Sequence, residues 1–180
     1  EDGLADILIG ASGSDDGGSD AGKVYLVLGD SLGSTTEIDL SEADYEFIGE
    51  ASNHNAGRAV AGPGDVDGDG RNDIFIGAWG LDESAVFAGG AYVVLATTLG
   101  TDTSIDLSSA DYRFVGEEEN DETGWAIAFA GDVDGDGLDD LLIGGHMHDS
   151  DGISESGVSY LVLANTLGST SEIDLADADY

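Results

Sequence analysis

The chain repeats itself. Asp65-Val66-Asp67-Gly68-Asp69-Gly70 returns as Asp132-Val133-Asp134-Gly135-Asp136-Gly137, a spacing of 67 residues, and at that spacing Asp73 falls on Asp140 in one direction and on Asp6 in the other. Phe47-Ile48-Gly49-Glu50 likewise returns as Phe114-Val115-Gly116-Glu117, and SLGSTTEIDLSEADY, ending at Tyr45, reappears in near copies ending at Tyr112 and Tyr180. A fixed period of this size means stacked copies of one supersecondary unit, each burying its apolar faces on its neighbours. The sequence holds about two and two-thirds units. They form a single repeat domain: a partial unit over 1–45, a full repeat over 46–112, and a full repeat over 113–180 lacking only its closing strand.

Within one unit the apolar runs are short and bounded by Gly or Asp: Tyr45 to Gly49, Gly57 to Ala61, Asp73 to Trp79 and Ala91 to Ala96. Such runs predict four strands per repeat. Ile74-Phe75-Ile76 and Tyr92-Val93-Val94-Leu95 are continuously apolar rather than alternating, as in strands covered on both faces. Four-stranded sheets stacked face to face by radial repetition make a β-propeller. A calcium-binding β-helix would need Gly-Gly-x-Gly-x-Asp nonapeptides, which are absent, and no segment carries helical apolar spacing over two or more turns. The expected fold is therefore all-β, with blades of four antiparallel strands in an incomplete ring. Propellers close with typically four to eight blades. Further blades of the same polypeptide, or other copies of the chain joined head to tail, are expected to complete it.

Charge narrows the partners. With 39 Asp plus Glu against 4 Lys plus Arg, the formal charge is -35, which disfavours nucleic acid and anionic membranes. At 41% hydrophobic residues with 29 Gly, the chain is nevertheless too apolar for a disordered acidic tail. There is no Cys, so neither a disulfide nor a thiolate metal site is available. No apolar stretch approaches a membrane span, so membrane insertion is not expected. No signal peptide opens the chain, which starts inside a motif, so its natural N-terminus is expected to lie upstream.

The sharpest chemistry lies in Asp65-x-Asp67-x-Asp69-Gly70-x-x-Asp73 and Asp132-x-Asp134-x-Asp136-Gly137-x-x-Asp140. Calcium is a hard cation taking six to eight oxygens, and alternating carboxylates on a tightly turning backbone meet that demand. By analogy with the EF-hand loop, the first, third and fifth positions supply carboxylates. The seventh, Arg71 or Leu138, supplies a backbone carbonyl, and Asp73 or Asp140 closes the site. An EF-hand itself is excluded, because its twelfth-position Glu is replaced by Ile76 and Ile143 and a strand follows the loop. Near the N-terminus Asp2 and Asp6 keep the positions of Asp69 and Asp73, a partial third site.

These residues resemble the FG-GAP repeat, the blade unit of the integrin α-subunit propeller and of many bacterial extracellular proteins. The family strand appears as Ala56-Gly57-Arg58-Ala59-Val60-Ala61 and Thr123-Gly124-Trp125-Ala126-Ile127-Ala128. The strand after the loop appears as Asp73-Ile74-Phe75-Ile76-Gly77-Ala78-Trp79 and Asp140-Leu141-Leu142-Ile143-Gly144-Gly145-His146. The family Phe is Ala56 and Thr123, and its closing Pro is Ser12, Trp79 and His146. The resemblance implies a secreted or cell-surface propeller whose calcium ions brace loops on one face while a protein or glycan ligand docks on variable loops.

The segments 13–21, 80–88 and 146–156 differ most between copies and are the candidate recognition loops. His146-x-His148 with Asp149 could bind zinc or copper, but paired loop histidines are more often incidental. Tyr45, Tyr112 and Tyr180 are expected to pack between blades, and Trp79 and Trp125 to pack rather than serve as ligand platforms. No Ser or Cys stands in a nucleophile elbow, and the prominent Asp residues are taken by the loops, so no catalysis is expected. Three roles remain: an adhesion or recognition module, a structural repeat of a larger surface assembly or filament, and a non-catalytic domain of a secreted hydrolase.

Overall fold

The apolar runs form strands in a computed structural model that describes residues 3–33, 37–82, 85–150 and 152–180. In chain order the strands are β1 (Ile7–Ala11), β2 (Lys23–Val27), β3 (Tyr45–Ile48), β4 (Ala59–Ala61), β5 (Ile74–Ala78) and β6 (Gly90–Val94). They continue with β7 (Ser104–Asp106), β8 (Tyr112–Val115), β9 (Thr123–Gly131), β10 (Asp140–Gly145), β11 (Val158–Val162) and β12 (Glu172–Asp174). Single turns of 3-10 helix follow several strands, and among the described residues no helix is long and apolar enough to cross a membrane. The protein is all-β, with twelve strands among the described residues arranged in three sheets.

The sheet orders are β1-β2-β3-β7, β4-β5-β6-β8-β12 and β9-β10-β11. The expectation of four antiparallel strands per sheet is thereby corrected. The sheets hold four, five and three strands, and the first two end in a parallel strand: β7 beside β3 and β12 beside β8. Parallel pairing requires a long connection, and here the edge strand follows the next sheet's hairpin along the chain, so each hairpin tail laces back onto the preceding sheet. Isolated parallel bridges, Gly22 to Ala56 and Gly89 to Thr123, add a second stitch between successive sheets.

The middle sheet is covered on both sides. Every residue of β5 and β6 is buried. Ile74, Ile76, Tyr92 and Val94 join Val24, Leu26 and Phe47 in one core cluster, while Phe75, Val93 and Phe114 join Leu141, Ile143 and Tyr160 in another. Alternate residues of one strand point to opposite faces, so a continuous apolar run feeds both cores. The outer sheets bury one face each. Leu142, one period beyond fully buried Phe75, is 39% exposed. Tyr45 and Tyr112 pack against the two clusters, whereas Tyr180 is exposed.

Glycine sets the spacing between sheets. A Cβ on Gly10 would overlap the carbonyl oxygen of Gly57, and one on Gly77 that of Gly124, so backbone meets backbone where β5 faces the next sheet. Gly144 occupies the same register in β10, yet the nearest atom to a Cβ there is the oxygen of Ala126 on the paired strand β9, at 3.5 Å, an ordinary contact. Gly77→Ala should therefore destabilise the fold by about 1–3 kcal/mol or more, read from urea unfolding. Gly144→Ala should change stability by less than about 0.5 kcal/mol.

Candidate metal centre

Each Asp-rich loop is wound around the carboxylate of its first residue. Asp65 Oδ1 accepts hydrogen bonds from the Gly68 and Asp69 N–H groups at 2.8 and 3.2 Å, and its Oδ2 accepts from Gly70 N–H at 2.9 Å. Asp132 accepts the same three, from Gly135, Asp136 and Gly137, at 2.7, 2.9 and 3.0 Å. The turn requires positive φ at Gly68, Gly70, Gly135 and Gly137, which glycine adopts without steric cost. The third and fifth residues continue the pattern: Asp67 and Asp134 each accept from the N–H two residues on at 3.1 Å, and Asp69 and Asp136 do so at 2.7 and 2.8 Å.

The ninth residue lies deeper than the rest. Asp73 and Asp140 are 2% and 0% exposed, and each divides its two oxygens between separate elements. Asp73 accepts from Val66 N–H inside its own loop and from Ala96 N–H in the turn after β6, both at 2.9 Å. Asp140 accepts from Val133 and Ala164 N–H groups at 2.8 and 2.9 Å. Asp6 makes the corresponding bond to Gly29 N–H at 2.8 Å, while Asp2, the other half of the partial third site, lies outside the described residues. Burial pushes the Asp73 carboxyl up to about 6; its two N–H donors oppose the rise, and the charges of Asp67 and Asp65 add to it. Asp67 is raised as well, by burial first and then by the charges of Asp69 and Asp65.

One carboxylate oxygen each from Asp65, Asp67 and Asp73 lies within 4.8 Å of the others, and Asp132, Asp134 and Asp136 form a second such group. Each loop thus gathers three of its four candidate carboxylates: Asp69 stands outside the first triad and Asp140 outside the second. The Arg71 side chain reaches back to Asp69, Nε to Oδ2 3.8 Å, and Leu138 packs against the second core. The donor set is oxygen only, preoriented by backbone N–H groups, and mutually repulsive, so it fits a hard divalent cation taking many oxygen ligands.

The loops are neighbours. Asp139 ties the second to the first by accepting from Asp65 N–H at 2.9 Å through its carboxylate and donating its own N–H to Asp65 O at 2.8 Å. Asn165 Nδ2 donates to Asp134 Oδ2 at 2.6 Å. Sequence spacing alone did not single out Asp139 or Asn165, because Asp139 reaches the loop of another unit and Asn165 lies 31 residues from Asp134 along the chain.

Another set of carboxylates with structural work also went unread. Asp44, Asp111 and Asp179, each just before the repeated Tyr, accept the N–H of Leu28, Leu95 and Leu163 at 2.8 Å in all three copies. Asp39, Asp106 and Asp174 accept from the N–H two residues later at 3.0, 2.9 and 3.0 Å, capping the 3-10 turns. Their signal was the threefold Ile-Asp-Leu and Ala-Asp-Tyr. The aromatic expectation holds for Trp79 and Trp125, whose rings meet edge to face at 5.9 Å, with the Arg58 guanidinium over Trp125 at 4.2 Å.

Comparison with known proteins agrees with this architecture. Residues 123–162, from β9 to β11, match the FG-GAP repeat family. The chain is also 31% identical over 148 residues to phosphatidylinositol-glycan-specific phospholipase D of Bos taurus, a match covering 80% of this chain but 17% of that protein. The chain thus spans under a fifth of the length of this relative.

The buried ninth carboxylate has a cost that does not depend on a metal. Asp140→Asn turns one acceptor into a donor facing an N–H group and should cost about 1–3 kcal/mol in excess chelator. Asp134→Asn, on an exposed carboxylate, should cost under about 0.5 kcal/mol there. Urea unfolding of both variants in EGTA reads the difference.

Proposed function

We propose that this chain is part of an extracellular β-propeller whose two Asp-rich loops bind calcium, and that it serves as a recognition or adhesion module for a protein or glycan ligand. The observation that carries the calcium reading is the identical winding of two loops 67 residues apart, each gathering three carboxylates within 4.8 Å. Asp65, Asp67, Asp69 and Asp73, with the Arg71 carbonyl, would hold one ion; Asp132, Asp134, Asp136 and Asp140, with the Leu138 carbonyl, would hold the other. The ion supplies charge neutralisation and no chemical step. By offsetting the repulsion among carboxylates that the backbone already orients, it would brace each loop at the start of the strand that follows. Magnesium suits the site less well, since its strict octahedron and reluctance to dehydrate disfavour an all-protein cage.

The propeller reading draws on sheets stacked face to face, on the FG-GAP match, and on the open outer face of β10, where Leu142 and Gly144 stand at the registers of buried Phe75 and close-packed Gly77. Another blade of the same kind, from the same polypeptide or from a second copy, fits that face. The ligand would dock on the segments that vary between copies: 13–21, 80–88 and 146–156, of which Glu83, Ser84 and Asp151 lie outside the described residues. A surface assembly or filament would use the same open faces to stack many copies.

The similarity to a phospholipase D favours a second reading, a non-catalytic domain of a secreted hydrolase. In either case the chain itself is assigned no reaction, since its repeated carboxylates accept backbone N–H groups or line the cation loops.

Calcium binding that favours the folded state stabilises it by mass action. Adding calcium to chelator-stripped protein should raise Tm and EGTA should reverse the rise, with about two ions bound per chain. Asp132→Ala should remove one of them. An unchanged Tm, with chelation verified, overturns the calcium assignment. Incubated with a phosphatidylinositol-glycan-anchored substrate, the chain alone should release no product, and release would overturn the non-catalytic reading.

A further inference from the structure

Apart from the two Asp loops, the described residues hold one more group of metal-ligating side chains: Glu118, Asp121 and His148, with one ligand atom of each within 4.8 Å of the others. Its donor set differs in kind, because an imidazole nitrogen joins two carboxylates. The turn between β8 and β9 supplies the acids, and the segment after β10 supplies the histidine. Asn120 and Glu122 adopt positive φ on either side of Asp121, and Met147 N–H donates to Asp121 O at 3.3 Å, which holds the two segments together. Asp121 is 2% exposed, and its Oδ2 lies 2.8 Å from His148 Nδ1. The Glu118 side chain is exposed and has no hydrogen bond or ion pair among the described residues.

The preceding repeat shows what this place in the unit requires. There Glu50, one period before Glu117, accepts the Tyr92 hydroxyl at 2.6 Å and the Arg113 guanidinium at 3.0 Å, and His54 stands one period before Asp121. A permanent cation therefore balances the partly buried acid. Here the third unit runs 68 residues behind the second, so that Asp179 and Tyr180 stand at the places of Asp111 and Tyr112. Among the described residues no Lys or Arg pairs with Glu117, Glu118 or Asp121. Tyr160, paired with Ile143 as Tyr92 is with Ile76, is 4% exposed, and burial first, then its neighbours Glu117, Asp121 and Glu118, push its hydroxyl pKa up. Glu118, Asp121 and His148 thus converge with no permanent cation among the described residues beside them.

We propose that Glu118, Asp121 and His148 bind a divalent transition-series cation, of which zinc is the representative, at a site chemically distinct from the calcium loops. Mixed imidazole and carboxylate ligation suits zinc, which accepts both at roughly 2.0–2.2 Å, whereas calcium takes oxygen ligands. Three protein ligands leave a position on the exposed Glu118 side for water or for a group of a bound partner. The imidazole must be neutral to coordinate, so binding by a protonated His148 releases its proton to solvent. The adjacent His146 takes no part: its ring stacks on Trp125 at 4.5 Å and its Nδ1 faces Glu122 Oε2 at 3.7 Å. The His146-x-His148 pair considered from the sequence is thus divided between two environments, and Asp149, its third member, accepts Glu155 N–H instead.

The site stands independently of the calcium reading and is tested on the whole chain in excess calcium. Zinc titration by calorimetry should show about one equivalent bound beyond calcium, and cobalt(II) in its place should give the visible absorption of a nitrogen-containing site of low coordination number. His148→Ala should weaken zinc binding by about tenfold or more and abolish the cobalt spectrum, while His146→Ala should leave both unchanged. The Tm of each variant in calcium checks folding, and Glu118→Gln, an exposed and conservative change, provides a second weakened variant should His148→Ala unfold. Absence of zinc binding in excess calcium, unchanged binding in folded His148→Ala, or loss of binding in His146→Ala would each overturn the proposal.

Discussion

A buried aspartate that splits its carboxylate between two elements is the contact on which the rest of the unit depends. Asp73 holds its own loop through Val66 and the following hairpin turn through Ala96, and Asp140 does the same through Val133 and Ala164. An ionised carboxylate bonded to backbone N–H groups makes stronger hydrogen bonds than a neutral acceptor. Because it sits at the first turn of the central strand, it sets where that strand starts and so which residues face each core. Moving the strand by one position would turn Phe75 and Ile76 to the wrong faces. The loop around Asp65 or Asp132 is therefore built on a foundation that exists before any cation arrives.

The extreme acidity acquires a local explanation. Asp39, Asp44 and their counterparts accept backbone N–H groups at turns in copy after copy, which is the established use of Asp where a chain leaves a strand. These carboxylates sit in exposed or half-exposed positions, where water screens their mutual repulsion. Charge becomes costly only where carboxylates converge. Three such places occur among the described residues, and they differ in what faces the acids: oxygen alone in the two loops, an imidazole in the third. In the middle unit Glu50, the counterpart of Glu117, is paired with Arg113 instead.

Packing makes the repeats unequal in turn. The middle sheet is buried on both faces and meets its successor backbone to backbone at Gly77 and Gly124, whereas β10 presents Leu142 and Gly144 outward. Nearly identical strands thus occupy a core in one copy and a surface in the next. The difference lies in what is stacked on them. A sheet with one uncovered face of this composition is suited to receive another of its kind, and lacing through β7 and β12 shows how successive units are held in order along the chain.

Much of this was legible in residues close together in the chain. The period, the main strands, the glycine-dependent turn and the alternating carboxylates follow from short-range geometry, since positions two to five apart in a tight turn face a common centre. The edge strands β7 and β12 were not legible, because three-residue segments such as Ser104–Asp106 carry little apolar signal and pair with strands of the preceding sheet. Nor could spacing tell that Asp139 bridges the loops, that Asp73 but not Asp140 joins the oxygen triad of its own loop, or that His148 turns to Asp121 while His146 stacks on Trp125. The sequence by itself determined the repeating unit and the chemistry of its loops, which local backbone geometry controls. Tertiary structure decided which copies of a position are buried, compensated or open, because burial and charge balance belong to neighbours brought together from distant parts of the chain.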